Sequence, residues 1–175
     1  MVTRVSELHP YPRSWVCITG GEPLLQGDEV EEVVKKLREG KYNLTIETNG
    51  SIPKPKWWTR LDSWCVDVKC PSSGMEDNFV DSWFKTRDKD QIKFVVGTEE
   101  DLVFVKKVLH DHIEFGIPKI IVSPIIDLSL PLIKGDSTII KNREFLQKVW
   151  EFCMDNNIRW SMQDHKLVFG NRRGV

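Results

Sequence analysis

The chain has 175 residues, with 25 Lys and Arg against 26 Asp and Glu for a formal net charge of −1, and 40% of its residues are hydrophobic. That composition is rich enough to bury a core, which excludes a disordered chain, and the near-neutral balance excludes an overall basic field that would draw in nucleic acid. No apolar run approaches the roughly 20 residues of a membrane helix, and residues 1–14 lack the apolar segment of a secretory signal, so a soluble, cytoplasmic protein with a single domain over 1–175 is expected.

In chain order, Val2, Val5 and Leu8 have helical spacing and predict the tail of a helix. Val16–Ile18 predicts a first strand, closed by Thr19-Gly20-Gly21-Glu22-Pro23. Two glycines there allow a sharp turn or a close approach to a ligand. Asp28 is expected to cap a helix whose apolar face is Val30, Val33, Val34 and Leu37, stopped at Gly40. Leu44–Glu47 predicts the second strand and Trp64–Val68 the third, with a short helix near Trp57–Leu61 between them. Residues 76–86 carry a weaker helical signal in Phe79, Trp83 and Phe84.

Ile92–Val96 predicts the fourth strand. Thr98 then caps a helix with Glu99, Glu100 and Asp101 in its first turn, where the helix dipole favours acids. Lys119–Val122 predicts a fifth strand, ending at Ser123-Pro124. A loop over 127–139 follows, then a helix over Arg143–Asn156 with Phe145, Leu146, Val149, Trp150 and Cys153 inward, and a last strand over Ile158–Met162. Strands alternating with helices imply parallel strands and right-handed crossovers. The pattern leaves an open doubly wound sheet and a partial barrel as alternatives.

Cys17, Cys65, Cys70 and Cys153 match no zinc spacing, and Cys17 and Cys65 lie in strand-like runs where a free thiol acts as a small buried hydrophobe. Trp57, Trp58, Trp64 and Trp83 are read as seals between helices and sheet. Lys166, Asn171, Arg172 and Arg173 form a small basic tail, read as a solvated end.

Polar residues cluster where the strands end: Thr19 to Glu22, Glu47 to Gly50, Asp67 and Lys69, Lys93 just inside the fourth strand, Ser123-Pro124, and Gln163 with His165. In a parallel sheet these ends lie along one edge, where hydroxyls, carboxylates and a lysine can converge on a ligand bearing both charges.

TGGEPLLQ, ETNG, DVKCPSSG, KFVV, Ser123-Pro124 and the closing MQDHKLVFGNRRGV, taken in order, resemble the radical S-adenosylmethionine enzymes of the 7-carboxy-7-deazaguanine synthase (QueE) family. The resemblance runs from about residue 15 to the end. It implies an α/β fold, parallel strands with alternating helices in a radical-SAM-type partial (β/α)6 barrel missing its first strand. It also implies S-adenosylmethionine at the strand ends. Gly20, Gly21 and Glu22 match the segment that meets the methionyl ammonium, and Thr48 and Asn49 the segment near ribose and substrate. Asp67, Lys69 and Ser72 match the loop where a lysine meets the methionyl carboxylate, and Ser123 and Pro124 the segment near adenosine. Gln163, His165 and Val175 match the part that closes over a pterin. The implied reaction is that of a lyase of queuosine biosynthesis, which takes 6-carboxytetrahydropterin to 7-carboxy-7-deazaguanine with a 4Fe–4S cluster and magnesium, typically in a homodimer.

The sequence departs from the family in one respect. It has no CxxxCxxC, and with that segment the family's magnesium-contacting residue and its N-terminal substrate contacts are also unmatched. The expectation is a truncated relative that does not run the radical reaction as this chain, and that self-associates through an exposed sheet edge. A non-catalytic nucleoside- or pterin-binding relative is an alternative. So is another radical activity, such as a glycyl-radical activating enzyme.

Overall fold

Alternation decides the strands. Asn43–Thr48 reads NLTIET, Ser63–Val68 SWCVDV and Gln91–Val96 QIKFVV. Successive side chains of a strand point to opposite faces, so one face of each is apolar and the other largely polar. The computed structural model describes residues 2–112, 119–126 and 137–169, apart from the side chains of residues 77, 137–142 and 165–167.

The elements are helix α1 (Val2–Leu8), strand β1 (Trp15–Ile18), α2 (Gly27–Glu39), β2 (Asn43–Thr48), β3 (Ser63–Val68), β4 (Gln91–Val96), α3 (Glu99–Asp111), β5 (Lys119–Pro124), α4 (Ser137–Asp155), β6 (Arg159–Trp160) and α5 (Asp164–Phe169). All six strands are parallel and stand in the order β1-β2-β3-β4-β5-β6. Every crossover moves one place in the same direction. Right-handed crossovers repeated in one direction leave the helices on one face, as in a (β/α) barrel, whereas a doubly wound sheet reverses its order. That settles the alternative left open by the sequence in favour of the partial barrel.

The helix side is one continuous core. Val34 and Leu37 of α2, Leu102 and Val105 of α3, and Val149 and Cys153 of α4 pack with Leu44, Ile46, Val66, Ile92, Phe94 and Val96 of the sheet. Trp57, Trp64 and Trp83 join it, with ring centroids 5.9 and 5.1 Å apart, and the indole N–H groups of Trp64 and Trp83 donate to the carbonyls of Trp58 and Ile52. Core packing is therefore what these tryptophans do.

Several local expectations are corrected. Asp28 does not cap α2. Pro23–Gln26 forms a 3-10 turn that runs straight into the helix, Glu22 caps that turn, and Asp28 falls inside the first turn of α2 as a dipole-complementing acid. The short helices near Trp57–Leu61 and over 76–86 are 3-10 turns, Trp58–Arg60, Glu76–Asn78 and Asp81–Phe84. Helix α4 begins at Ser137, so 137–139 are not loop, and 127–136 lie outside the described residues. Trp150 is half exposed rather than inward, set edge-on against Trp160 at 5.2 Å. The last strand keeps only Arg159 and Trp160, because only Ile121 and Val122 stand opposite to pair with it. Ser123 and Pro124 are the final residues of β5 instead of a loop after it. Cys17 is exposed and Cys65 half-buried, since both fall on the face that no helix covers. No helix among the described residues is long and apolar enough to cross a membrane.

Candidate functional site

The face away from the helices is built from the other half of each alternation. Cys17, Thr45 and Ser63 lie in one row across β1, β2 and β3. Glu47, Cys65, Gln91 and Lys119 form the next, and Asp67, Lys93, Ile121 and Arg159 a third. Parallel sheets are usually apolar on both faces because helices cover both. Here one face carries the exposed carboxylate of Glu47 with half-buried Asp67 and Lys93, a polar surface that no helix covers. Glu47, Lys93, Asp67 and Cys17 all act electrostatically on the Cys65 thiol, which fixes them as neighbours.

At the carboxyl ends of the strands, two buried carboxylates tie the loops together. Glu22 Oε1 accepts from the Leu24 N–H at 3.0 Å and the Thr48 hydroxyl at 2.8 Å, and Oε2 accepts from the Asn49 N–H at 2.8 Å. It thereby joins the loop after β1 to the end of β2. Its described bonds all go to the protein, so what the turn offers outward is backbone. Gly20 (φ 102°) and Gly21 (φ 54°) hold left-handed conformations with open space where a Cβ would stand, so a ligand can come against their peptide groups.

Asp101 joins β3 to β4 in the same way. It is fully buried and accepts from the Gly97 N–H (2.6 Å), the Ser72 hydroxyl (2.7 Å), the Ser72 N–H (3.0 Å) and the Thr98 N–H (3.1 Å). Burial alone would raise its pKa. The donors from Gly97, Ser72 and Thr98 outweigh burial and hold the carboxyl below its ordinary value. Ser72 is thus a loop anchor. Asp101 was visible in the sequence only as a first-turn acid. The Thr98-x-x-Asp101 capping box was the available signal, and the bonds to Ser72 and Gly97 are tertiary.

Lys69 donates to Asp67 Oδ2 at 2.5 Å, while Asp67 Oδ1 is buried with no partner among the described residues. Ser123 Oγ and Gln163 Oε1 are also buried and without a partner among the described residues. These three oxygens come from the ends of β3, β5 and β6, three of the positions marked by the resemblance. A buried polar atom without a partner costs roughly 1–3 kcal/mol, so each is a reason for a ligand or ordered water to sit there. Pro124 closes β5, in register with Val96, whose carbonyl accepts from the Ile125 N–H at 2.8 Å. His165 lies within α5 with its side chain outside the described residues, and Val175 lies outside them altogether.

An iron–sulfur cluster does not fit the cysteines of this chain. Cys17 is on β1, Cys65 on the open face of β3, Cys70 in the core beyond β3 and Cys153 in the core on α4. A cluster needs thiolates, whereas burial pushes the thiols of Cys65 and Cys70 up to about 12 and that of Cys153 up to about 11. No group of three His, Cys, Asp or Glu converges as metal ligands among the described residues. A cavity of about 650 Å³ lies at the opposite end of the sheet, between Leu109, Ile120, Ile158 and Arg159. None of the residues marked by the resemblance lines it.

No family model matches the chain. It is 34% identical over 170 residues to the 7-carboxy-7-deazaguanine synthase of Clostridium acetobutylicum, covering 91% of this chain and 69% of that protein. It is 29% identical over 176 residues to the Bacillus subtilis enzyme of that name, covering 93% and 69%. A 98-residue stretch is 46% identical to the Methanospirillum hungatei protein, covering 56% of this chain and 41% of the relative. Among solved structures, QueE from Escherichia coli superposes with a TM-score of 0.55 at 22% identity, over 93% of this chain and 61% of that one. The structure of anSMEcpe with bound AdoMet superposes with a TM-score of 0.54 at 17% identity, over the whole of this chain and 57% of that one.

Proposed function

We propose that this chain, which belongs to the 7-carboxy-7-deazaguanine synthase family, carries the edge of such an enzyme that binds S-adenosylmethionine and a pterin. The observation that carries the reading is the set of buried oxygens without a partner among the described residues, Asp67 Oδ1, Ser123 Oγ and Gln163 Oε1, on three strand ends that the family resemblance marks independently.

The parts have distinct tasks. The Gly20 and Gly21 carbonyls receive the methionyl ammonium, with Glu22 holding their turn against Thr48 and Asn49. Asn49, whose Oδ1 accepts from the Ser51 N–H at 2.9 Å, keeps the next loop in place beside the ribose. Lys69, paired with Asp67, places a cation near the same ligand. Ser123 and Pro124 face adenosine and Gln163 meets the pterin; the His165 side chain and Val175, which the resemblance assigns to the same ligand, lie outside the described residues. A bound iron–sulfur cluster is what would supply the electron for radical formation in the family. The thiols here do not fit one, so no step of the radical reaction is assigned to these residues. The outer edge of β1 is unpaired among the described residues, which supports self-association through it in a homo-oligomer.

Calorimetry with S-adenosylmethionine and with 6-carboxypterin tests the reading. Binding of both at separate, additive stoichiometry is expected, without cleavage of S-adenosylmethionine. Absence of heat with either ligand, on protein that is folded by circular dichroism, overturns it.

A further inference from the structure

Lys93 stands in the middle of β4 between Ile92 and Phe94, both fully buried on the helix side, so its own half-buried side chain faces the polar side of the sheet. Its register partners are Asp67 on β3 and Ile121 on β5. Asp67 already receives Lys69 at 2.5 Å, and Glu47 receives the Thr19 hydroxyl at 3.3 Å. Lys93 itself makes no hydrogen bond or ion pair among the described residues. A partly buried lysine whose neighbouring carboxylates, Asp67 and Glu47, are bonded to Lys69 and Thr19 keeps its own donors free, and its flexible stem offers a compact point charge to whatever anion enters.

We infer that Lys93 binds a carboxylate of the ligand held on this face, leaving Lys69 as the partner of Asp67. The inference rests on the reading above and deepens it. Both ligands proposed there carry one carboxylate, that of the methionyl group or that of the pterin, and the chemistry at Lys93 is the same for either.

The test compares the full chain with Lys93→Gln and Lys93→Arg by calorimetry on two ligand pairs that differ in a carboxylate. One pair is S-adenosylmethionine and 5′-methylthioadenosine. The other is 6-carboxypterin and pterin. Lys93→Gln is expected to weaken one carboxylated ligand by about tenfold or more and to leave its carboxylate-free counterpart within about twofold, the scale of one lost charge-assisted bond. Lys93→Arg, which keeps the charge, restores most of the loss. The pair that responds names the source of the carboxylate. Should Lys93→Gln not fold, Lys93→Met keeps the apolar stem and answers the same question.

If the parent binds and Lys93→Gln weakens both members of each pair equally, or neither, the assignment fails while the binding reading stands. A drop in thermal stability with unchanged discrimination would make Lys93 a neutraliser of Asp67, and would also overturn it. A parent that binds no carboxylated ligand overturns the binding reading itself.

Discussion

The two faces of one sheet behave as two different materials. On the helix side, Leu44, Ile46, Val66, Ile92, Phe94 and Val96 are completely buried in a continuous core. One residue away along the same strands, Thr45, Cys65, Asp67 and Lys93 are half-buried and Glu47 is exposed. The backbone pairing is identical for both sets, so secondary structure does not separate them. What separates them is coverage: α2, α3 and α4 lie on one face only. The first face stores stability and the second holds chemistry, with Glu22 and Asp101 as braces where the two meet at the strand ends.

Substitutions can break or sharpen that contrast. Phe94→Ala is expected to cost about 4 kcal/mol in urea denaturation, the loss of a buried aromatic plus its cavity, while Lys93→Ala next to it changes stability by less than about 1 kcal/mol. Comparable costs at the two positions would mean that the open face is also core.

Asp101→Asn comes next, at about 2–3 kcal/mol, because one amide oxygen cannot serve donors from Gly97, Ser72 and Thr98 together. The pH dependence has a definite sign. A carboxyl with its folded pKa below 3.8 contributes stability that is complete above that value and is lost as the pH falls through the folded pKa. The Asp101→Asn variant should therefore show a flatter acid limb in thermal melts between neutral pH and pH values below 3.8, and an unchanged limb would remove Asp101 as a brace.

Glu22→Ala should cost about 2 kcal/mol by the same accounting, with the loss seen first as faster hydrogen exchange at Leu24 and Asn49. Protection that persists at both amides would show that the turn holds without the carboxylate. The smallest effect is a rate. With its thiol pushed up by burial to about 12, Cys65 should be alkylated by iodoacetamide far more slowly at pH 8 than an ordinary thiol. Rapid modification of Cys65, read by mass spectrometry, would show that its face is open to water rather than half-enclosed.

Much of this was legible in the residues. The strands, the Gly20-Gly21 turn, the capping of α3 by Thr98 and the clustering of polar groups at the strand ends follow from local pattern. The polar face is also written there, in the alternation of NLTIET, SWCVDV and QIKFVV, between the strand ends where the polar clusters stand out. Other features are tertiary. Nothing near Glu22 says that its carboxylate turns inward to Thr48 and Asn49, residues 26 and 27 positions away. Asp101 likewise reaches Ser72 across 29 positions. The start of α4 at Ser137 was missed because apolar residues in 127–139 carry no clear helical period.

The unbroken strand order has a consequence for synthesis. Each strand from β2 onward pairs with the one made just before it. As the chain leaves the ribosome, a newly exposed strand finds its template already in place and never waits for a partner still to be translated. The sheet can grow one rung at a time, like a ladder lowered through a hatch, each new strand covering the edge that the last one left open.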